Sequence, residues 1–222
     1  MRVDAASLEL GCVAGILCGM ATADQQIIGL YRRHAEAWAR RRTRLGAEKL
    51  WLDRFLGHLP QSPSILDLGC GSGDPVARYF LACGATVTGV DTSPELLAIA
   101  AQTVADAEWH IADMRTLDLG TRFDGILAWN SFFHLTPEDQ RRMFPIFRRH
   151  AATGAVLMFT SGTGHGEVIG QFEGEPLYHG SLDPAEYRAL LDRNGFDVMR
   201  HVVEDPVCNQ QTIWLARLRN AG

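Results

Sequence analysis

Apolar residues recur along this chain at two different spacings, and the switches between them mark its elements. From Asp24, the residues Ile27, Ile28, Tyr31, Ala35 and Trp38 fall at helical intervals and predict an amphipathic helix. Leu50, Trp51, Phe55 and Leu56 form one face of a second helix over Glu48–Leu59, which Pro60 and Pro63 end. Short apolar runs then alternate with helical patterns. Strands are expected at Ser64–Leu68 (SILDL), Thr86–Val90 (TVTGV), Glu108–Ala112, Phe123–Ala128 and Ala155–Thr160 (AVLMFT). Between them lie expected helices at Pro75–Cys83, Ser93–Ala101, with Pro94 in its first turn, and Pro137–His150.

Such alternation predicts a parallel sheet covered by helices on both faces. The tail differs. A helix over Pro184–Asn194, with Gly195 as its C-cap, leads to a strand at Phe196–Val203. The next strand, Thr212–Leu218, starts only nine positions later, with Pro206 in the gap. No crossover helix fits there, so this last pair is expected to be antiparallel. Thr160–Leu182 (TSGTGHGEVIGQFEGEPLYHGSL) shows no clear periodicity. Loops of that length are usually lids or disordered, and Ile169, Phe172, Leu177 and Tyr178 favour a lid because they give it apolar surface to bury. Residues 161–182 are therefore expected to form an irregular lid loop that roofs a pocket together with lid helices over 24–60.

Composition narrows the class. The chain has 222 residues, 46% of them hydrophobic and 21% charged, which suits one globular domain over 24–222. Its net charge of −5 disfavours a role in coating nucleic acid. No apolar run approaches the roughly 18 residues a membrane span needs. The five cysteines (12, 18, 70, 83 and 208) form no C-x-x-C pair and no zinc spacing, so reduced thiols in a cytoplasm are expected and no metal site is. Leu10–Ala21 (LGCVAGILCGMA) is apolar, but only Arg2 precedes it as a base, and Asp4 and Glu9 are acidic, which disfavours an export signal. Met20-Ala-Thr-Ala-Asp reads like a natural start. Residues 1–23 are accordingly taken as an N-terminal extension, a candidate for disorder.

The chemistry begins at Leu66–Asp74 (LDLGCGSGD), a strand followed by glycines at 69, 71 and 73 and then a helix. Backbone N–H groups and a helix N-terminus there suit a nucleotide. The dinucleotide pattern G-x-G-x-x-G needs a third glycine at position 74, where Asp74 stands and would repel a pyrophosphate. Asp91, eighteen residues beyond Gly73, ends the second strand, where a carboxylate accepts hydrogen bonds from ribose hydroxyls, a role NAD sites share. Asp113, just past the third strand, is placed to accept from an adenine amino group, and Met114 to pack on the ring.

In this order, Asp67-Leu-Gly-Cys-Gly-Ser-Gly73, Val90-Asp91-Thr-Ser-Pro-Glu-Leu-Leu, Ala112-Asp113-Met114 and Phe123-Asp-Gly-Ile-Leu-Ala128 resemble the successive motifs of the class I S-adenosylmethionine-dependent methyltransferases of small-molecule type. The resemblance covers residues 64 to 160 and implies an α/β fold: a Rossmann-like, seven-stranded, mostly parallel sheet with helices on both faces and an antiparallel last strand. It implies S-adenosyl-L-methionine as cofactor, held by Asp67, Gly69, Gly71, Asp91, Thr92, Asp113, Met114 and Trp129. Tyr31-Arg-Arg-His-Ala-Glu-Ala-Trp38…Arg42 is also similar to the lid helix of small-molecule members, which adds Tyr31, Trp38 and Arg42 at the methionine end, Arg42 as a bidentate carboxylate clamp. The alternative for these residues is core packing by the aromatics and a solvated helix end for the arginines.

The implied reaction is in-line displacement of the methyl group by a small-molecule acceptor, giving S-adenosylhomocysteine. Alignment in a dry pocket supplies most of the acceleration, and a general base is optional. After the fourth strand stands Trp129-Asn-Ser-Phe-Phe-His-Leu135, without the N-P-P-Y-like clamp of enzymes that methylate planar amino groups, so no nucleic-acid partner is expected. His134 is the candidate catalytic base there, against a purely packing role between sheet and helix. Phe133, His165 and Tyr178 are candidate substrate contacts. A metal bound by His165, Glu167 and His179 matches no standard ligand spacing. Aromatics at 129, 132, 133, 172 and 178 suggest a partly apolar acceptor, and the arginines near 40 favour an anionic one unless they are solvated surface. Two other functions stay open: a catalytically silent cofactor-binding partner subunit, and an NAD-linked oxidoreductase.

Overall fold

A computed structural model describes residues 23–220. The extension expected over 1–23 therefore lies, but for its last residue, outside the described residues. The described chain begins with helices α1 (Ala23–Arg33), α2 (Ala35–Arg41) and α3 (Lys49–Leu56). Then follow β1 (Ser64–Leu68), α4 (Val76–Ala82), β2 (Thr86–Asp91), α5 (Pro94–Thr103), β3 (Glu108–Ile111), β4 (Phe123–Ala128), α6 (Pro137–His150) and β5 (Ala151–Ser161). The remainder is β6 (Gly166–Phe172), β7 (Glu175–Ser181), α7 (Pro184–Arg193), β8 (Phe196–Asp205) and β9 (Gln211–Leu218).

Seven strands form one sheet in the order β3-β2-β1-β4-β5-β9-β8. The first five are parallel, and β9 runs antiparallel to both of its neighbours, as the short connection before it requires. The central strands read as continuous apolar runs because both faces are covered. Leu66, Ile126, Leu157, Phe159 and Trp214 face one core, which α6 and α7 complete with Phe144, Phe147, Tyr187 and Leu191. Ile65, Leu127, Val156 and Met158 face the other, with Trp51 and Phe55 of α3 and Phe80 of α4. Side-chain caps start α5, α6 and α7: Ser93 accepts from the Leu96 amide at 3.2 Å, Thr136 from Asp139 at 3.1 Å and Asp183 from Ala185 at 2.8 Å.

Two expectations need correction. The first helical segment is not continuous: it divides at His34, whose backbone (φ −110°, ψ 22°) leaves the helix. The segment 161–182 is not an irregular loop but mostly a hairpin, β6 paired antiparallel with β7 from Gly166↔Ser181 to Phe172↔Glu175. Its two-residue turn, Glu173-Gly174, has φ of 49° and 81°, the pair of positive values that matches the twist of the strands.

The base of this hairpin is stapled to the domain by Gln140 of α6, which is fully buried. Its Nε2 donates to the Leu135 carbonyl at 2.9 Å and the Gly180 carbonyl at 2.8 Å, and its Oε1 accepts from the Tyr187 hydroxyl. Gln140→Leu removes the side-chain donor to two carbonyls and one of the three partners of the Tyr187 hydroxyl, which keeps Ser181 and the Leu182 amide. It is expected to cost on the order of 3 kcal/mol in urea unfolding. A variant with the midpoint and slope of the parent would remove the staple from this account.

Candidate active site

The strand order reverses between β1 and β4, and in open α/β sheets the crevice beyond that point receives the ligand. Here the two strand ends touch. Gly69 follows β1 with φ 72°, and a Cβ there would lie 2.3 Å from the Cβ of Ser131, which follows β4. The Ser131 hydroxyl donates to the Leu68 carbonyl at 2.6 Å. The third glycine of the loop answers a different demand: Gly73 has φ 70°, and a Cβ on it would meet the Trp109 ring at 2.4 Å. The spacing that departs from the dinucleotide pattern thus reflects the indole packed under the loop.

Asp91 ties the loop to the second strand. Its carboxylate accepts from the Gly71 amide at 2.9 Å and from the Ser93 amide at 2.9 Å. A cavity of 280 Å³ is lined by Tyr31, Trp38, Gly69, Gly71, Thr92 and the Asp113–Met114 pair; Asp91 is not itself in its lining but bonds the backbone of Gly71, which is. Asp113 lies there with its carboxylate clamped by Arg115 at 2.6 to 3.0 Å. Burial pushes that carboxyl up, but the Arg115 side chain and backbone amide outweigh it and hold it below its ordinary range.

A smaller recess of 40 Å³ adjoins the loop between Trp38, Arg42, Asp67 and Trp129. Asp67 is 3% exposed. Burial first, and then the charge of Asp91, lift its pKa to about 7 against the opposing pull of Arg42. The buried Trp129 Nε1 has no hydrogen-bond partner among the described residues. Arg42 lies 3.5 Å from Glu48. An acceptor, an orphaned donor and a guanidinium so arranged fit the ammonium and carboxylate of a methionine moiety.

On the other side, a cavity of 800 Å³ extends between Phe133, His134, Thr160–Val168, the end of β7 and the turn between β8 and β9. Tyr31, Trp38, Asn130 and His134 line both large cavities. His134 Nδ1 lies 2.7 Å from the Tyr178 carbonyl, which only accepts, so the ring carries its proton there. Its Nε2, 2.8 Å from the Tyr31 oxygen, is then the acceptor and Tyr31 the donor. The free lone pairs of the Tyr31 oxygen are left at the junction. Burial raises the Tyr31 pKa further, with Asp91 adding to it, so the phenol stays protonated at neutral pH.

The roof is aromatic. Phe172 of β6 stacks on Tyr31 at 6.0 Å and meets Trp38 edge-on at 5.8 Å. Around it, Arg41 pairs with Glu173 at 2.6 Å, and Arg33 and His34 both bind Glu175, His34 at 2.6 Å. Those bonds, Arg33 foremost, hold Glu175 down at about 2. The arginines near 40 are therefore neither a free anion-binding patch nor a bare solvated run: Arg40 bonds Glu36, Arg41 the hairpin and Arg42 the Glu48 carboxylate.

The residues expected at the cofactor, from Tyr31 and Trp38 to Trp129, gather around the two adjoining recesses, with Asp91 directly behind the loop. Phe133 and His165, the expected substrate contacts, line the 800 Å³ cavity. Tyr178 does not: it is 3% exposed, and its hydroxyl donates to Glu167 at 2.7 Å. It positions His134 through its carbonyl. Residues without a local motif were missed, among them Asn130, Glu204 and Gln211, which distant segments bring to the same wall as His179, weighed from sequence only as a metal ligand. The left-handed backbone of Asn130 (φ 54°) is the one feature its residue type hinted at. Among the described residues no His, Cys, Asp and Glu cluster suits a metal, and no helix is long and apolar enough to cross a membrane.

Comparison with known proteins agrees with this geometry. A family profile described as a methyltransferase domain matches residues 65–154. A dTDP-4-amino-2,3,4,6-tetradeoxy-D-glucose N,N-dimethyltransferase of Saccharopolyspora spinosa is 31% identical over 153 residues, 67% of this chain and 61% of that protein. A dTDP-3-amino-3,6-dideoxy-alpha-D-glucopyranose N,N-dimethyltransferase of Streptomyces fradiae is 38% identical over 84 residues, 37% of this chain and 32% of that protein. The chain thus spans less than two thirds of the length of these curated relatives. The S-adenosylmethionine-bound structure of an amino pentose methyltransferase from Micromonospora echinaspora shares the fold, with a TM-score of 0.65 at 21% identity, covering 82% of this chain and 95% of that one. Residues 65–154 thus form a methyltransferase domain, and the chain has the fold of S-adenosylmethionine-dependent methyltransferases. That family's methyl donor is S-adenosyl-L-methionine.

Burial, with the charge of His179 adding to it and the Tyr178 hydrogen bond opposing it, lowers the His134 pKa from 6.5 to about 4. Because the folded value lies below the unfolded one, the neutral ring contributes stability that is complete above pH 6.5 and lost as pH falls toward 4. An NMR titration of the ring nitrogens should show one neutral tautomer, protonated at Nδ1, from pH 8 down to about pH 5. A midpoint near 6.5 would contradict the buried Tyr31–His134–Tyr178 chain.

Proposed function

We propose that the protein transfers a methyl group from S-adenosylmethionine to a small-molecule acceptor. What supports this above all is the meeting of the two cavities at Tyr31, Trp38, Asn130 and His134, one sized and furnished for an adenosine-bearing donor, the other for a separate molecule. When bound, the donor supplies a methyl group on a positively charged sulfur. The chain's own residues then have distinct tasks. Asp91 accepts from the ribose hydroxyls, Thr92 lies beside it, and Asp113 with Met114 holds the adenine. Arg42 and Trp129 Nε1 take the methionine carboxylate, and Asp67 its ammonium. Gly69 and Gly71 bring bare backbone against the donor where side chains would exclude it.

His134 is not a free general base, since Nε2 already accepts from Tyr31. We assign it to positioning: it holds the Tyr31 hydroxyl proton, so that the Tyr31 oxygen accepts a hydrogen from the acceptor and turns its lone pair toward the methyl group. Phe133 and His165 border the acceptor, with Tyr178 fixing His134 from behind. Alignment of this kind supplies much of the rate, because it replaces a bimolecular encounter with a held geometry. The reading includes a cytoplasmic setting and no nucleic-acid partner, in keeping with the free thiols of Cys70, Cys83 and Cys208 and the net charge of −5.

Titration calorimetry with S-adenosylhomocysteine tests the assignment. The parent protein should bind it, and Asp91→Ala should bind at least tenfold more weakly, a loss of about 1.4 kcal/mol. Unchanged affinity in the variant would remove Asp91 from the ribose. Stabilisation of the parent by NAD and not by S-adenosylhomocysteine in a thermal-shift comparison would end the methyltransferase reading altogether.

A further inference from the structure

The acceptor-side cavity has an unusual charge balance. Among the described residues its lining holds two carboxylates, Glu167 and Glu204, and three histidines, but neither lysine nor arginine. Burial lowers His179 as it does His134, so both rings are neutral at pH 7. The arginines of the roof are paired, Arg33 with Glu175 and Arg41 with Glu173, and Arg42, over the Trp38 ring, lies in the lining of the adjoining smaller recess. Glu167 and Glu204 are both exposed, and Glu167 also accepts from the Tyr178 hydroxyl at 2.7 Å; a wall carrying them and no fixed cation still repels anions and concentrates cations.

The same wall shows where its shape was set by something other than packing. Glu204, Gln210 and Asn130 all line the cavity with left-handed backbones, at φ of 49°, 58° and 54°. Each costs free energy, most for the two that are not asparagine. Asn130 and Glu204 are held by hydrogen bonds across the wall, Gln211 Nε2 donating to Asn130 Oδ1 at 2.7 Å and the Glu204 amide to the Thr212 hydroxyl at 3.2 Å, while the Gln210 amide donates within its turn to the Asp205 carbonyl at 3.0 Å. Strained residues held by their neighbours gather at ligand sites. The rings of Phe133 and His179, 5.0 Å apart and tilted by 48°, add aromatic surface to the same lining.

We propose that this cavity takes an amine acceptor bearing no carboxylate or phosphate, with Glu167 and Glu204 as the residues that select for its charge. The inference rests on the methyltransferase reading above and adds the acceptor class to it. It also separates this chain from its two dTDP-sugar-methylating relatives, whose named acceptors carry a nucleoside diphosphate. A diphosphate here would face two carboxylates with no lysine or arginine to answer it. The amine enters as an ammonium and sheds one proton to solvent at the acidic mouth. Its nitrogen lone pair then forms the N–C bond as the C–S bond breaks, so the positive charge leaves sulfur and ends on the methylated ammonium.

The test uses the full chain loaded with S-adenosylhomocysteine and two probes matched in size and opposite in charge, benzylamine and benzoate, with thymidine diphosphate as a third. Saturation-transfer NMR titrations at pH 7.5 are expected to show benzylamine binding at least tenfold more tightly than either anion. In the Glu167→Gln/Glu204→Gln double variant the preference should fall below threefold. Glu204→Gln alone, at an exposed position, should lose part of it and serves if the double variant does not fold. The proposal is overturned if benzoate or thymidine diphosphate binds as tightly as benzylamine, if benzylamine does not bind, or if the preference survives both substitutions. Failure of S-adenosylhomocysteine itself to bind would instead overturn the methyltransferase reading, so the two failures are told apart at the loading step.

Discussion

The closeness of Gly69 to Ser131 is the constraint from which the rest of the site follows. With 2.3 Å between the Ser131 Cβ and the place a Cβ of Gly69 would take, any side chain at 69 would push the ends of β1 and β4 apart. Because these are the neighbours at which strand order reverses, their loops form the floor of the whole crevice. The Ser131–Leu68 hydrogen bond closes that floor, and Asp91 draws the glycine loop onto β2 through the Gly71 amide. The indole of Trp38 then rests against Gly71, its Nε1 3.1 Å from where a Cβ would stand. Floor and roof are thus in contact only because glycines leave room.

Electrostatics suits that crevice to a cationic ligand. Burial raises both the Asp67 and Asp91 carboxyls; the charge of Asp91 adds to the rise at Asp67, while backbone amides at Ser93, Gly71 and Thr92 oppose the rise at Asp91. A buried Asp67 beside a half-buried Asp91 is only partly answered by Arg42, and a donor carrying a sulfonium and an ammonium would offset the remaining cost. The roof works by packing instead. Its ion pairs to Glu173 and Glu175 involve arginines more than half exposed, and pairs so exposed contribute little. The Tyr31–Phe172–Trp38 contacts bury the aromatic surface that holds the hairpin over the junction.

Legibility in the sequence followed the range of the interactions. The strands β1, β4 and β5 showed as apolar runs because each is covered on both faces, and the antiparallel end showed because nine positions cannot carry a crossover. The hairpin did not show. Gly166, Gly170 and Gly180 interrupt its alternation, Val168 and Ile169 are exposed at 66% and 54%, and its Glu-Gly turn is a weaker signal than Asn-Gly. Nor did the break at His34, which the periodicity of Ile27 to Trp38 runs straight across.

The donor half of the site could be read along the chain because it is built from short strand–loop–helix units, where a glycine or a carboxylate has its role within a few residues of where it stands. The acceptor half could not. Tyr31 meets His134 across 103 positions, Asn130 meets Gln211 across 81, and His134 is fixed by the carbonyl of Tyr178, a group no residue type reveals. Which nitrogen of His134 carries the proton, which arginines are spent on the roof and what charge the acceptor meets all depend on segments that only packing brings together. Residue order specifies a backbone cradle locally; the charge and lining of a cavity arise from contacts between distant segments.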